Sequence, residues 1–210
     1  HRMLEDFGFS KLMKHSTDAV TYYSQHKIKV FVNEQPGSFA ESFSKEHGPS
    51  IPSMGWKVDN AQAAKASAVS NGAKSCDNGD FKDRDGNPLP AIYGIGDSII
   101  YFVEDKLTKD DFPKSMGFEP LDNPGIRPDC GFLTIDHMTN NVEKGTMAEW
   151  TKFYKEVFGF EEVRYFDIKG EKTGLTSFAL RSPDGSFCIP INEGNEEKSQ
   201  INEYLREYKG

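Results

Sequence analysis

The sequence predicts an α+β fold of paired βαβββ modules, in which half-barrel sheets carry their helices on the outside. Three observations predict it. Two stretches of the chain repeat one another, each repeat opens with an amphipathic helix, and each helix leads into short strands divided by turn signals. The first stretch, MLEDFGFSKLMKHSTDAVTYYSQHKIKVFVNE, ends at Glu34; the second, KFYKEVFGFEEVRYFDIKGEKTGLTSFALRSPDGSFCIPINE, ends at Glu193. Phe7-Gly8-Phe9 answers Phe158-Gly159-Phe160, and Asn33-Glu34 answers Asn192-Glu193. Between these landmarks the second copy is eight residues longer, as a longer hairpin requires.

In chain order, HRMLEDFGF enters inside an apolar-periodic segment with no capping residue before it. AVTYYSQHKIKVFVNE then reads as a hairpin turning at Gln25–Lys27. The next run, ESFSKEHGPSIPSMGWKVDNAQAAKASAVSNGAKS, gives a short helix, the strand PSMGWKV, an N-cap at Asp59 or Asn60, an alanine-rich helix and Gly72 as its terminator. AIYGIGDSIIYFVED supplies two more strands, and GFLTIDHMTNN reads as the first strand of a further module. In GTMAEWTKFYKEVFGF, the residues Met147, Trp150, Tyr154, Val157 and Phe158 fall on one helical face, and Gly159 stands where a C-cap wants positive φ. VRYFDI, TSFALRS and SFCIPI are strands separated by the turns KGEKTG and SPDG. QINEYLREYKG closes the sequence as an amphipathic helix. The repeat predicts a strand before residue 1, and a strand equivalent to PSMGWKV after residue 210. The expectation is a piece of a longer protein, with a scaffold domain over 1–126 and the first half of a second domain over 127–210.

Composition narrows the classes of function. Hydrophobic residues make up 36% and charged residues 28% of the 210 residues, the balance of a globular protein with room for a sizeable core. A net charge of −8 argues against a nucleic-acid partner, which calls for a basic stripe. No apolar run approaches the roughly 18 residues that span a bilayer and none resembles a signal peptide, so a cytoplasmic protein without a membrane partner is expected. Cys76, Cys130 and Cys188 are odd in number and irregular in spacing, which fits reduced thiols. DRDGNP lacks the glycine position and final glutamate of a calcium loop and reads as a turn; AIYGIGDS lacks the spacing of a phosphate-binding glycine loop, and no helix follows it.

Paired βαβββ modules of this kind resemble the vicinal oxygen chelate (glyoxalase-like) superfamily. Within it, IDHMTNNV, FYKEVFGFEEVRYFDIKGEKTGLTS, IPINE and KSQINEYL, with EHGPS and LPAIYGIG in the first half, resemble the 4-hydroxyphenylpyruvate dioxygenase family over essentially the whole chain. The resemblance implies a non-haem Fe(II) enzyme that converts a small 2-oxo acid, 4-hydroxyphenylpyruvate, and dioxygen to homogentisate in tyrosine catabolism. It implies a metal held by two histidines and a glutamate, of which His137 is the first; the other two are expected beyond Gly210. A homo-oligomer is expected, as in the family. By itself, His137 reads as a hydrogen-bonded core or surface histidine more readily than as a ligand, since a lone histidine on a strand is more often that than metal-bound.

The resemblance places Ser177, Pro190 and Asn192 in the substrate pocket and assigns to Gln200 a hydrogen bond to the substrate's phenol end. Period-two alternation independently sets Pro190 and Asn192 on one strand face. Thr139 shares the face of His137 and is expected to line the wall. Asn192 as a strand-ending turn residue and Gln200 as a helix-capping group remain open. His1, His15, His26 and His47, the last placed in the loop KEHGPS, are expected to be structural or exposed. The first-half counterpart of the second metal histidine falls near Ser53, so that half is expected to be metal-free. A hydroxymandelate synthase, which uses the same substrate and metal, and a non-catalytic small-ligand-binding module of the same superfamily are the alternatives.

Overall fold

The structure, a computed structural model, describes residues 1–104, 111–169 and 174–209. Three four-stranded sheets organise the described residues. Helix α1 (Arg2–Asp6), strands β1 (Ser10–His15), β2 (Val20–Gln25) and β3 (Ile28–Asn33), and helix α2 (Phe39–His47) form the first unit. Next come β4 (Ser53–Val58), α3 (Ala61–Ser70), β5 (Ser75–Cys76), β6 (Ala91–Tyr93), a 3₁₀ turn (Ile95–Asp97) and β7 (Ile99–Glu104). Helix α4 (Asp111–Ser115) and β8 (Phe118–Gly125) follow, and β8 pairs back on β1 to give the order β3-β2-β1-β8. The last unit is β9 (Asn140–Val142), α5 (Met147–Phe158), β10 (Glu161–Lys169), β11 (Gly174–Arg181) and β12 (Cys188–Gly194), followed by α6 (Gln200–Tyr208).

The two complete modules share one topology. In β4-β7-β6-β5 and in β10-β11-β12-β9, the opening strand lies parallel to the closing strand at its edge. The βαβββ reading of the sequence is thereby borne out, and the Asn-Glu landmarks acquire a physical reason. Glu193 accepts the backbone N–H of Met147 at 3.1 Å, placing a carboxylate at the N-terminus of α5, where the helix dipole favours it. In the first unit Glu34 meets a side chain instead, 2.8 Å from the ring of His1, the residue that precedes α1.

Local sequence explains the helices. α3 is capped by Asn60, whose side chain accepts the N–H of Ala63, and α2 and α6 are capped by Ser38 and Ser199. α5 ends on Gly159 in the left-handed region (φ 68), which costs a glycine little. Its buried residues Met147, Thr151, Tyr154 and Val157 follow helical spacing. Tyr154 joins Leu180, Ile189 and Ile191 of the third sheet in one core. Trp56 of β4 stands against Phe158 and Tyr154, so α5 is packed between the second and third sheets.

Four readings of the sequence change. The stretch GFLTIDHMTNN forms a strand over β9 alone, with a single parallel bridge at His137; Phe132, Leu133 and Ile135 have no ladder partner and are exposed. A strand needs a neighbour, and the alternation of side chains does not reveal whether one is present. His47 is in the last turn of α2 and buried, not in a loop. β8 was not expected, because PLDNPG carries two prolines and no alternation; pairing with β1 makes it a strand. The two-residue strand β5 is likewise the product of pairing with β6. Of the turn KGEKTG, residues 170–173 lie outside the described residues.

Candidate metal and substrate site

Strand register decides which side chains share a surface. Leu180, Ile189 and Ile191 are fully buried on the side of the third sheet that faces α5. Alternation therefore turns Ser177, Pro190 and Asn192 to the opposite face. Ser177 stands directly across from Asn192, and Ala179 across from Pro190. β9 adds Asn141, paired with Asn192 in parallel register, and the Asn192 amide donates to the Asn141 side-chain oxygen at 3.2 Å. His137 is bridged in parallel to Cys188, two residues before Pro190 on the same face of β12. Its backbone is fixed on both sides: the Cys188 N–H donates to the Asp136 carbonyl at 2.8 Å, and the Met138 N–H to the Cys188 carbonyl at 3.2 Å.

The structure thus brings His137, Ser177, Pro190 and Asn192 onto one face. Ser177 is buried, Pro190 and Asn192 are half-buried, and His137 and Thr139 are exposed. Thr139 lies between the His137 bridge and the start of β9. Gln200 is the first residue of α6 and exposed. It does not cap the helix; Ser199 does, accepting the N–H of Asn202 at 3.2 Å. Asn192 is within β12 and does not end it in a turn.

Three further residues share this site and were not singled out in the sequence. The Asp136 carboxylate lies 2.8 Å from Nδ1 of His137. A carboxylate only accepts, so Nδ1 carries the proton, and the lone pair resides on Nε2, the nitrogen left for a metal. Phe166 stands across from Ser177 and Arg164 across from Ala179, with the guanidinium 5.4 Å from the Phe166 ring centre. The antiparallel register of β10 on β11, unbroken from Lys169 back to Arg164, would have found them; alternation along one strand does not name the residue across from it.

The donor chemistry fits one corner of an Fe(II) site. A neutral imidazole oriented by a carboxylate is an ordinary ligand for that ion. Among the described residues no group of three His, Cys, Asp or Glu side chains is placed to hold a metal. The other histidines have different partners: His15 contacts the Met116 carbonyl at 2.9 Å, His26 lies 2.6 Å from Asp129, and His47 lies 2.7 Å from the Tyr208 carbonyl.

Comparison with known proteins places this fold in a class. Residues 134–205 match the Glyoxalase/Bleomycin resistance protein/Dioxygenase superfamily. A solved structure of a mutant 4-hydroxymandelate synthase from Streptomyces coelicolor shares the fold, with a TM-score of 0.79 and 19% identity over 99% of this chain and 62% of that one. Residues 1–119 match the N-terminal model of hydroxyphenylpyruvate dioxygenase, and the chain belongs to that family. Among its relatives, Protein MelA of Shewanella colwelliana is 53% identical over all of this chain and 60% of its own length. The 4-hydroxyphenylpyruvate dioxygenase of Legionella pneumophila is 38% identical over all of this chain and 58% of its own. The chain therefore spans about three fifths of the length of these relatives. Among the described residues, no helix is long and apolar enough to cross a membrane.

Proposed function

We propose that this chain is part of an Fe(II)-dependent dioxygenase that converts 4-hydroxyphenylpyruvate and dioxygen to homogentisate and carbon dioxide, the step tyrosine breakdown requires. The observation that carries the reading is His137, held at Nδ1 by Asp136 and bridged to the strand that bears Pro190 and Asn192. Family membership and the name of the Legionella relative support it. In this reading, a second histidine and a glutamate beyond Gly210 complete the metal site, and the first half, 1–126, serves as a metal-free scaffold. Fe(II) held in this way supplies a chelating anchor for a 2-oxo acid and a coordination site for dioxygen.

The chain's own residues then bind and orient. The Asn192 amide and the Ser177 hydroxyl, side by side on the sheet, offer hydrogen bonds to the substrate near the metal, and Pro190 provides a rigid apolar wall. Phe166 and the stem of Arg164 extend that wall at the far edge of the sheet. Gln200, at the head of α6, is assigned the phenol end. Asp136 orients the His137 ring through its contact with Nδ1 and leaves Nε2 for the metal.

The test is product analysis of the full-length protein, purified, loaded with Fe(II) and given 4-hydroxyphenylpyruvate in air. Homogentisate as the main product supports the proposal. Hydroxymandelate would reassign the reaction, and no oxygen uptake with any 2-oxo acid would leave a binding protein.

A further inference from the structure

The internal repeat extends to a pair of helices that meet. α2 and α6 each have nine residues, each follows a strand that carries an Asn-Glu pair at or near its end, and each is capped by a serine that accepts the N–H three positions on. Each carries an i, i+4 ring pair on its last turns: Phe43 and His47 with centroids 4.0 Å apart, Tyr204 and Tyr208 with centroids 4.9 Å apart. The equivalent last residues, His47 and Tyr208, touch. His47 is only 6% exposed, and its Nδ1 lies 2.7 Å from the Tyr208 carbonyl. That carbonyl is among the last four of α6, which have no partner within the helix. A carbonyl only accepts, so the imidazole donates and caps α6 from outside. Gly48, at φ +71, ends α2 beneath the same tyrosine; a Cβ there would stand 3.5 Å from the Tyr208 ring. The dipeptide His47-Gly48 and the C-terminus of α6 are thus built against each other across 160 residues of chain.

We propose that His47 is a positioning residue: it fixes the exit of α6, and so the direction in which the chain leaves toward the remaining metal ligands. This rests on the reading of His137 as one ligand of three. The other end of α6 has its own anchors, Ser199 at 1% and Ile201 at 7% exposed. A released C-terminus therefore swings about Gln200, and displacement grows along a rod of roughly 13 Å. The loss falls on whatever follows α6 and spares Gln200 at the pivot. Metal affinity is the property His47 controls, more than substrate recognition.

The experiment uses the full-length protein as wild type, His47→Leu and His47→Asn, the last keeping a donor near the place of Nδ1. Two readouts are taken: amide exchange of residues 205–208 in the metal-free protein, and Co(II) affinity by titration. His47→Leu is expected to lose protection at 205–208 and to weaken Co(II) binding by about tenfold or more, with far-ultraviolet dichroism unchanged and the substrate KM moving less. His47→Asn is expected to recover most of both. Wild-type protection together with wild-type affinity in His47→Leu overturns the proposal, as does lost protection with unchanged affinity. A wild type that binds no Co(II) would instead sink the His137 reading, while amide exchange would still report whether His47 holds α6.

Discussion

Two carboxylates show how single residues are set by a few local contacts. Asp136 is exposed, yet it controls which nitrogen of His137 carries a proton, because the two side chains meet at 2.8 Å. Asp184, in the turn between β11 and β12, accepts from the hydroxyls of Ser182 and Ser186 at 2.6 Å each and from the Ser186 N–H at 3.1 Å. Those bonds favour the charged form and hold its pKa down to about 2, the Ser182 hydroxyl contributing most. A carboxyl depressed in the folded state stabilises the turn above its unfolded pKa of about 4 and loses that contribution as pH falls through about 2. NMR of the Ser186 amide should therefore show its titration near pH 2; a midpoint near 4 would mean the turn is not closed by these bonds. At this scale the shared face of Pro190 and Asn192 was legible in the sequence, since period two fixes it. The contact of Asp136 with His137 was not, because it depends on how two neighbouring side chains turn toward each other.

β12 is the element on which core and site meet. One face presents Ile189 and Ile191, both fully buried against α5; the other presents Pro190 and Asn192. Ile191→Ala should lower stability by about 2–5 kcal/mol, through lost burial and the cavity left behind. Denaturant unfolding measures this, and a loss below about 0.5 kcal/mol would show that the neighbouring side chains refill the space. α5, α3 and the two hairpins were legible because apolar spacing, Asn60, Gly159 and SPDG agree with one another. β8 and the shortened β9 were not. Their extent is set by partners, β1 for the one and β12 for the other, and no local pattern encodes a partner distant in sequence.

For the whole molecule, the repeat tells most of the architecture, and the joints between repeats are what it leaves out. Trp56 packs among Tyr154, Phe158, Phe160 and Phe187, joining the second sheet to the third. Gln25, buried in the first sheet, donates to the Phe7 carbonyl at 2.8 Å and accepts from the N–H groups of Cys130 and Phe132 at 3.2 and 3.1 Å. It pins the connecting segment a few residues ahead of His137, as His47 pins the end of α6. The first half, which offers no metal ligand in this account, thus holds both ends of the half that does. The proposed chemistry depends first on His137 binding the metal. Iron analysis of the full-length protein, wild type against His137→Ala, tests it most directly. Stoichiometric Fe(II) is expected in the wild type, and its loss in His137→Ala with unchanged dichroism and unfolding midpoint; iron retained at wild-type occupancy in the variant would contradict metal binding by His137.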